Sequence, residues 1–181
     1  MFGPIIEGEA CRLRPPRLDE APAMVTWFQD QTVTAALKAR TPLSLEEEEA
    51  WLRRMASSPD DVLWAIEREG GIVGNSAIHG IDWTDRHGST GTVIGDRRHW
   101  GRGVGGESMR LRTRYAFTQL PLHKLCSAYH EGNEASRRAQ LAAGYREVGR
   151  RRQHIWREGR WHDLVLTEIL REEWAATQRI E

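Results

Sequence analysis

Apolar and polar residues alternate in short runs along the chain, and each run predicts a β-strand. The predicted strands cover residues 9–14, 62–67, 72–79, 90–95, 123–129, 148–156 and 162–170. The second and third strands are separated by Glu69-Gly70-Gly71, and the last two by Glu158-Gly159. Both separators favour tight turns, so two hairpins are predicted.

Four segments between these strands have the periodicity and the capping residues of helices. The predicted helices cover residues 18–29, 44–55, 106–119 and 134–143. We expect Asp19 and Asn133 to cap the first and the last helix. Ser44 and Glu47 form a capping-box pattern for the second. The acidic run 46–49 is interpreted as a complement to the helix dipole rather than as a substrate site.

The third helix is predicted to be amphipathic. Leu111 and Tyr115, four residues apart, are expected to be buried. Three arginines are expected to face water: Arg110, Arg112 and Arg114. Strands with helices between them predict an α+β fold whose sheet is covered by helices on both faces. We expect a single domain over residues 1–181, with its core at about 9–174.

Composition narrows the function classes. The 181 residues carry a formal net charge of +0 and a pI of about 7.1, so nothing favours nucleic-acid or membrane-surface binding. No apolar run is long enough to cross a bilayer. Cys11 and Cys126 share no metal-ligand spacing, and we expect two free thiols in a reducing cytoplasm and no metal site.

A glycine-rich segment directly before the third helix carries the most specific chemistry, reading Trp100-Gly101-Arg102-Gly103-Val104-Gly105-Gly106-Glu107. Glycines at a helix start let a phosphate approach the free N–H groups there. A Walker loop is excluded, because Glu107 stands where a lysine is required and its carboxylate would repel a nucleotide γ-phosphate. A Rossmann dinucleotide loop is a weaker alternative, because polar residues 96–99 separate the loop from the preceding strand.

Three blocks of sequence together resemble the GNAT superfamily of N-acetyltransferases, in particular the branch of ribosomal-protein-alanine N-acetyltransferases. The first is the glycine segment with the preceding Ile94-Gly95-Asp96. The second is Asn133-Glu134-Ala135-Ser136 followed by Ala143-Gly144-Tyr145-Arg146-Glu147-Val148-Gly149, and the third is Gly159-Arg160-Trp161-His162-Asp163. The resemblance implies a mixed, mostly antiparallel sheet that is splayed at the cofactor site. It also implies acetyl-CoA as co-substrate.

The resemblance assigns cofactor contacts residue by residue. Backbone N–H groups of the glycine segment would bind the pyrophosphate, and the end of the fourth strand would pair with the pantetheine arm. The expected cofactor-binding residues are Val93, Ile94, Gly95, Gly101, Arg102, Gly103, Val104, Gly105, Gly106 and Asn133. Arg98 and His99 either add positive charge near the phosphates or belong to a solvated turn.

The catalytic groups depart from the general pattern of the superfamily. Ser89 stands where many members carry a glutamate base, and Gln140 stands where many carry a tyrosine acid. Ser136 is therefore the expected hydrogen-bond donor to the leaving sulfur, beside Asn133; helix capping is the alternative role for both. His79 is the first base candidate. His87, Asp85 and a base-free route through water are the alternatives.

The acceptor is expected to be a primary amine held between the first helices, the loop after His79 and the last hairpin. The expected acceptor residues are Trp27, Trp83, Asp82, Asp85 and Trp156, because aromatic walls with carboxylates suit a cation. The amine could belong to a protein N-terminus, an aminoglycoside, a polyamine or an amino sugar. Two alternatives stay open: the tryptophans form a homodimer interface, or the chain is a catalytically weak CoA-binding sensor.

Overall fold

A computed structural model describes residues 1–37 and 41–178. Its seven strands are β1 Arg12–Arg14, β2 Val62–Arg68, β3 Gly71–Asp82, β4 His87–Ile94, β5 Lys124–His130, β6 Arg146–Arg157 and β7 Arg160–Leu170. Its helices are α1 Ala21–Gln29, α2 Gln31–Thr34, α3 Leu45–Ser57, α4 Val104–Gln119, α5 Glu134–Ala142 and α6 Arg171–Thr177. Two short 3₁₀ helices, Leu18–Glu20 and Arg97–His99, precede α1 and α4. Both predicted hairpins are confirmed as β2–β3 and β6–β7.

All seven strands form one sheet in the order β1-β2-β3-β4-β5-β7-β6. Every neighbouring pair is antiparallel except β4–β5, which is parallel. The parallel pair needs a crossover connection, and α4 supplies it. The prediction of a mixed, mostly antiparallel sheet is confirmed.

Helices cover the two faces of the sheet and give two apolar cores. Side chains from α4, including Leu111 and Phe117, pack with Ile78 and Leu125 on one face. Side chains from α1 and α3, including Met24 and Leu52, pack with Ala77 on the other. Because neighbours along a strand point to opposite faces, the Ile78 face belongs to α4 and the Ala77 face to α1 and α3. No helix within residues 1–37 and 41–178 is both long and apolar enough to cross a membrane.

The parallel strands β4 and β5 pair over only three positions and then separate. The register runs from His87–Lys124 to Ser89–Cys126, and β4 continues to Ile94 without a partner on β5. Two side-chain hydroxyls bond backbone carbonyls where the pairing ends: Thr90 donates to the Cys126 carbonyl at 3.1 Å, and Ser127 to the Thr90 carbonyl at 3.4 Å. The expected splay of the sheet is present, and we call this gap the β4–β5 opening.

The predicted caps have mixed outcomes. Ser44 and Glu47 form the reciprocal capping box of α3, and the Asn133 side chain accepts the Ser136 N–H at the start of α5. The prediction that Asp19 caps the first helix is wrong. Asp19 lies inside the 3₁₀ turn, and the N-cap of α1 is Glu20, which makes no side-chain cap because its carboxylate binds Arg14 instead.

The prediction that Arg112 faces water is also wrong. Arg110 and Arg114 are exposed, but Arg112 is 1% exposed and lies beneath β3 and β4. Its Nη1 donates to the Gly91 carbonyl at 2.7 Å, to the Thr92 hydroxyl at 2.8 Å and to the Ser76 hydroxyl at 3.0 Å. The sequence pattern assigned Arg112 to the side of the helix that faces water. The hydroxyl groups on the underside of the strands bind its guanidinium and so make its burial feasible.

Glu48 is a second buried titratable side chain, in the acidic run that the sequence analysis interpreted as a complement to the helix dipole. It lies in the acidic first turns of α3, yet it is 2% exposed and its Oε1 has no hydrogen-bond partner in the described part of the chain. Burial raises the pKa of Glu48 to about 7. The ionised carboxylate is therefore disfavoured in the folded protein.

We expect Glu48→Gln to stabilise the fold at pH 8 and to have little effect near pH 4.5. A carboxyl whose folded-state pKa is raised loses stability as pH increases from its unfolded pKa to its folded pKa, here from 4.5 to about 7. Above that range the gain in unfolding free energy should be on the order of 1–3 kcal/mol. Thermal denaturation at both pH values measures it. Glu46→Gln, at an exposed site, is the matched control. Equal gains at both pH values would contradict the assignment.

Candidate active site

The glycine segment forms a helix start with free N–H groups. Gly101 and Gly103 have φ of 70° and 80°, which side-chain-bearing residues rarely adopt. Gly103 is the N-cap of α4 in the left-handed conformation and offers no side-chain cap to the first turn. The N–H groups of that turn have no intrahelical acceptors, so the helix start can bind an anion.

Space around this helix start is open. A Cβ built on Gly101 or Gly103 would have no neighbour within 4 Å, and one on Gly105 would meet only Ile94 Cγ1 at 3.6 Å. Glu107, the acidic residue of the first turn, forms an ion pair with Arg110 at 2.5 Å. Its negative charge is therefore partly neutralised beside the predicted phosphate position.

The two basic residues before the loop differ in their surroundings. Arg98 is 85% exposed and its guanidinium binds Asp96, whereas His99 is buried with Nε2 3.7 Å from Asp96. The hydrogen bonds from Arg98 hold the pKa of the Asp96 carboxyl below its ordinary value although burial opposes this. A groove of about 360 Å³ adjoins the segment, and its basic lining residues are Arg68, Arg98, His99 and Arg102.

The end of β4 is held from several sides. The Trp100 indole N–H donates to the Ile94 carbonyl at 2.8 Å, and the Gly95 N–H donates to the Val73 carbonyl at 2.9 Å. Trp27 was predicted to line the acceptor site, but it is 6% exposed and lies against the α-carbon of Gly95. A Cβ at Gly95 would come within 2.0 Å of the Trp27 ring, so only glycine fits there. Trp27 thus fixes the position of the chain at the end of β4.

His79 lies on the α1–α3 face of β3, opposite Ser89 of β4. Its Nδ1 is 3.1 Å from Asp61 Oδ1, and Asp61 also accepts from the Gly80 N–H and the Ser58 hydroxyl. These hydrogen bonds outweigh burial and lower the pKa of Asp61, so it is the ionised partner. A carboxylate at Nδ1 favours the imidazole tautomer that leaves Nε2 as acceptor.

The Nε2 side of His79 faces β4 where that strand lacks a side chain. A Cβ on Gly91 would lie 3.7 Å from His79 Nε2, and Gly91 is two residues beyond the last β4–β5 pair. The imidazole therefore stands next to the backbone at the β4–β5 opening. Sequence reasoning selected His79 but missed Asp61, because the two residues are 18 positions apart and only strand pairing brings them together.

The Asp82 side chain, at the end of β3, holds the following loop through hydrogen bonds from backbone N–H groups. Asp82 Oδ1 accepts the N–H groups of Thr84 and Asp85, both at 2.8 Å, and these bonds lower its pKa despite some burial. Ligand atoms of Asp82, Asp85 and His87 lie within 4.8 Å of one another. The end of β3 and the loop after it thus place two carboxylates close to His87.

Ser136 lies in the first turn of α5, directly after β5. The Asn133 side chain accepts the Ser136 backbone N–H at 3.1 Å, which is a capping role. The Ser136 hydroxyl oxygen accepts from Gln140 Nε2 at 3.0 Å. Gln140 Nε2 also lies 3.4 Å from the Ala128 carbonyl of β5, and its Oε1 accepts from the Thr167 hydroxyl. Sequence reasoning noted Gln140 only as a missing tyrosine and did not find Thr167.

Exposed aromatic rings occur at two of the predicted acceptor positions. Trp83 is 40% exposed and donates from Nε1 to Asp60 at 2.9 Å. Trp156 and Trp161, near the tip of the β6–β7 hairpin, are 45% and 55% exposed, with ring centroids 5.2 Å apart in an edge-to-face arrangement. Arg157 of the same hairpin donates to the Thr34 carbonyl, which ties the hairpin to α2.

The chain matches the family model described as Acetyltransferase (GNAT) domain over residues 11–146. It is 30% identical over 122 residues to the Bacillus subtilis protein named putative ribosomal N-acetyltransferase YdaF; the match spans 67% of this chain and 66% of that protein, just under two thirds. It is 26% identical over 163 residues to L-methionine sulfoximine/L-methionine sulfone acetyltransferase of Pseudomonas aeruginosa, covering 87% and 92% of the two chains.

The fold is shared with solved structures of lower identity. Spermidine N-acetyltransferase from Vibrio cholerae, crystallised in complex with CoA and spermine, aligns with a TM-score of 0.85 over 93% of this chain and 99% of that one. The two sequences are 17% identical, so this likeness shows the fold alone.

Proposed function

The chain belongs to the GNAT acetyltransferase family and is an N-acetyltransferase, and on this premise we propose that it moves an acetyl group from acetyl-CoA to a primary amine. The observation that carries the proposal is the uncapped, glycine-bounded start of α4 beside the unpaired length of β4. The first can hold a pyrophosphate on N–H groups, and the second leaves strand edge for the amides of the pantetheine arm. Bound acetyl-CoA would supply the activated acetyl group.

We expect Gly105→Leu to weaken CoA binding by at least about tenfold, since its side chain would occupy the space in front of the first-turn N–H groups. Gly105→Ala is the matched control, because a single Cβ meets only Ile94 and should leave binding nearly intact. Isothermal titration with CoA measures both. Wild-type affinity in Gly105→Leu would place the cofactor elsewhere. A rise in melting temperature with NAD and none with CoA would favour the dinucleotide alternative.

His79 is the proposed base. With Asp61 at Nδ1, Nε2 can accept the proton that the amine nitrogen loses as its bond to the acetyl carbon forms. His79 is preferred to His87 because its nitrogen is 3.1 Å from a carboxylate oxygen, whereas the side-chain atoms of His87, Asp82 and Asp85 lie only within 4.8 Å of one another. The C–S bond of the thioester then breaks, and the sulfur leaves with the electron pair of that bond. A hydrogen bond from Ser136 to that sulfur is the proposed counterpart on the β5 side of the opening.

We expect His79→Ala to lower kcat by about 10²-fold or more, the low end for a positioned base, with little change in CoA affinity. The side chain is 42% exposed, so added imidazole should reach the vacated space and restore part of the rate. His154→Ala, at an exposed histidine on β6, is the control. Unchanged turnover in His79→Ala would favour deprotonation through water.

The acceptor is proposed to be a primary amine bound on the α1–α3 face, where His79 lies. Trp83, Trp156, Asp82 and Asp85 support a cationic amine, since aromatic faces and carboxylates attract ammonium groups. The relatives named for ribosomal and spermidine acetylation fit this class of acceptor, a protein N-terminus or a polyamine. Free Cys11 and Cys126 are compatible with the proposed cytoplasmic location.

We expect a panel of primary amines, scored by release of free CoA, to identify at least one acceptor. For that acceptor Trp83→Ala should raise KM about tenfold, while Trp83→Phe, which keeps an aromatic ring, stays near the wild-type value. CoA affinity should be unchanged in both. CoA binding without turnover on any amine would support the sensor hypothesis. A change in mass by light scattering with unaltered KM would assign the tryptophans to a homodimer interface.

A further inference from the structure

Gln140 is a buried amide in α5 whose two ends both have partners. It is 2% exposed, and its neighbours belong to three different elements. Nε2 donates to the Ser136 hydroxyl oxygen at 3.0 Å and lies 3.4 Å from the Ala128 carbonyl of β5. Oε1 accepts from the hydroxyl of Thr167 on β7, which is 1% exposed. Such a buried side chain is held in one place.

The chemistry of these neighbours permits only one orientation of the amide. If the amide were flipped, Oε1 would face the Ala128 carbonyl, and two acceptors would meet without a proton between them. In the observed orientation Thr167 donates to Oε1, and Nε2 donates toward Ser136 and Ala128. The Ala128 carbonyl therefore sets the orientation, the Thr167 hydroxyl holds Oε1 in it, and neither depends on Ser136.

This fixed orientation decides what the Ser136 hydroxyl can do. A hydroxyl has one proton to donate, and its oxygen here already accepts from Gln140. The Asn133 side-chain oxygen accepts the Ser136 backbone N–H, and among the described residues the Ser136 hydroxyl donates to no acceptor. The Ser136 O–H is consequently left to donate to a group outside this network.

We propose that Gln140 and Thr167 are positioning residues, which make the Ser136 hydroxyl a donor toward the leaving sulfur of the thioester. The inference rests on the role of Ser136 in the proposed function. As the C–S bond breaks, the sulfur takes the electron pair and the Ser136 O–H donates to it. Any proton that Ser136 passes to the sulfur is returned to its oxygen from water. Gln140 itself transfers no proton, since a side-chain amide does not ionise at physiological pH.

The matched pair Thr167→Val and Thr167→Ser tests the positioning. Valine has the same shape but no hydroxyl, so Oε1 loses its donor and the amide is no longer held where Nε2 donates to Ser136. Thr167→Val should lower kcat at least about tenfold. Thr167→Ser keeps the hydroxyl and should retain most of the rate. Gln140→Met, which removes both amide groups at similar length, should resemble Thr167→Val. Melting temperatures of all variants report whether they fold.

A second readout separates positioning from packing. In the complex with free CoA, a hydrogen bond from Ser136 stabilises the thiolate, so its loss should raise the pKa of the bound thiol by about one unit. Ultraviolet absorbance of the thiolate during a pH titration measures this. We expect the rise in Ser136→Ala, Gln140→Met and Thr167→Val, and no rise in Thr167→Ser. A residue with a merely structural role would not move this pKa.

Double variants distinguish the two ways in which the inference could fail. Adding Gln140→Met to Ser136→Ala should lower kcat no further if both act through one hydroxyl. Additive losses, or wild-type kcat in both Thr167→Val and Gln140→Met while Ser136→Ala is slow, would overturn the positioning role and leave Ser136 as donor. Wild-type kcat in Ser136→Ala would overturn the donor role itself, independently of whether CoA binds.

Discussion

The structure depends on the early end of pairing between its two parallel strands. β4 and β5 share three register positions and then diverge, so the edge of β4 from Gly91 onward lacks a strand neighbour on that side. Unpaired strand edges are costly unless polar groups satisfy them or a ligand binds there. Thr90 and Ser127 satisfy the last carbonyls with their hydroxyls. Beyond them, the strand edge and the start of α4 leave backbone groups that suit an extended, phosphate-bearing ligand.

The groups proposed for the two proton-handling roles lie on separate elements, His79 on β3 and Ser136 on α5. His79 reaches the β4–β5 opening from β3 past the bare α-carbon of Gly91, and Asp61 fixes its tautomer. Ser136 lies in the first turn of α5, the helix that follows β5. In the proposed function the member that gains a proton and the member that donates one belong to separate elements, so one can be altered without moving the other. Ser89 and Gln140, at the superfamily positions for a glutamate and a tyrosine, have no acid–base part in that proposal.

Three buried polar side chains differ in how their polar atoms are hydrogen-bonded. Nη1 of Arg112 donates to the neutral oxygens of Ser76, Gly91 and Thr92 and so supports the underside of β3 and β4. Gln140 uses both ends of its amide and becomes rigid. Glu48 has an oxygen without a partner in the described residues, and its raised pKa reflects that cost. Of these three side chains, Arg112 and Gln140 bind residues of the candidate active site, Gly91 and Ser136, respectively.

The sequence by itself determined the fold class, both hairpins and the helix starts at Ser44 and Asn133, because periodicity and capping are local properties of the chain. It also located the glycine segment, since the left-handed φ of Gly101 and Gly103 requires that residue type. The tertiary structure alone decided the partners. Asp61 meets His79, Thr167 meets Gln140, and Trp27 closes on Gly95 across long chain separations. The tertiary structure also buried Arg112, which was expected to be exposed. Burial of an arginine depends on the hydrogen-bond acceptors of the facing strands, and these acceptors are distant from Arg112 in sequence.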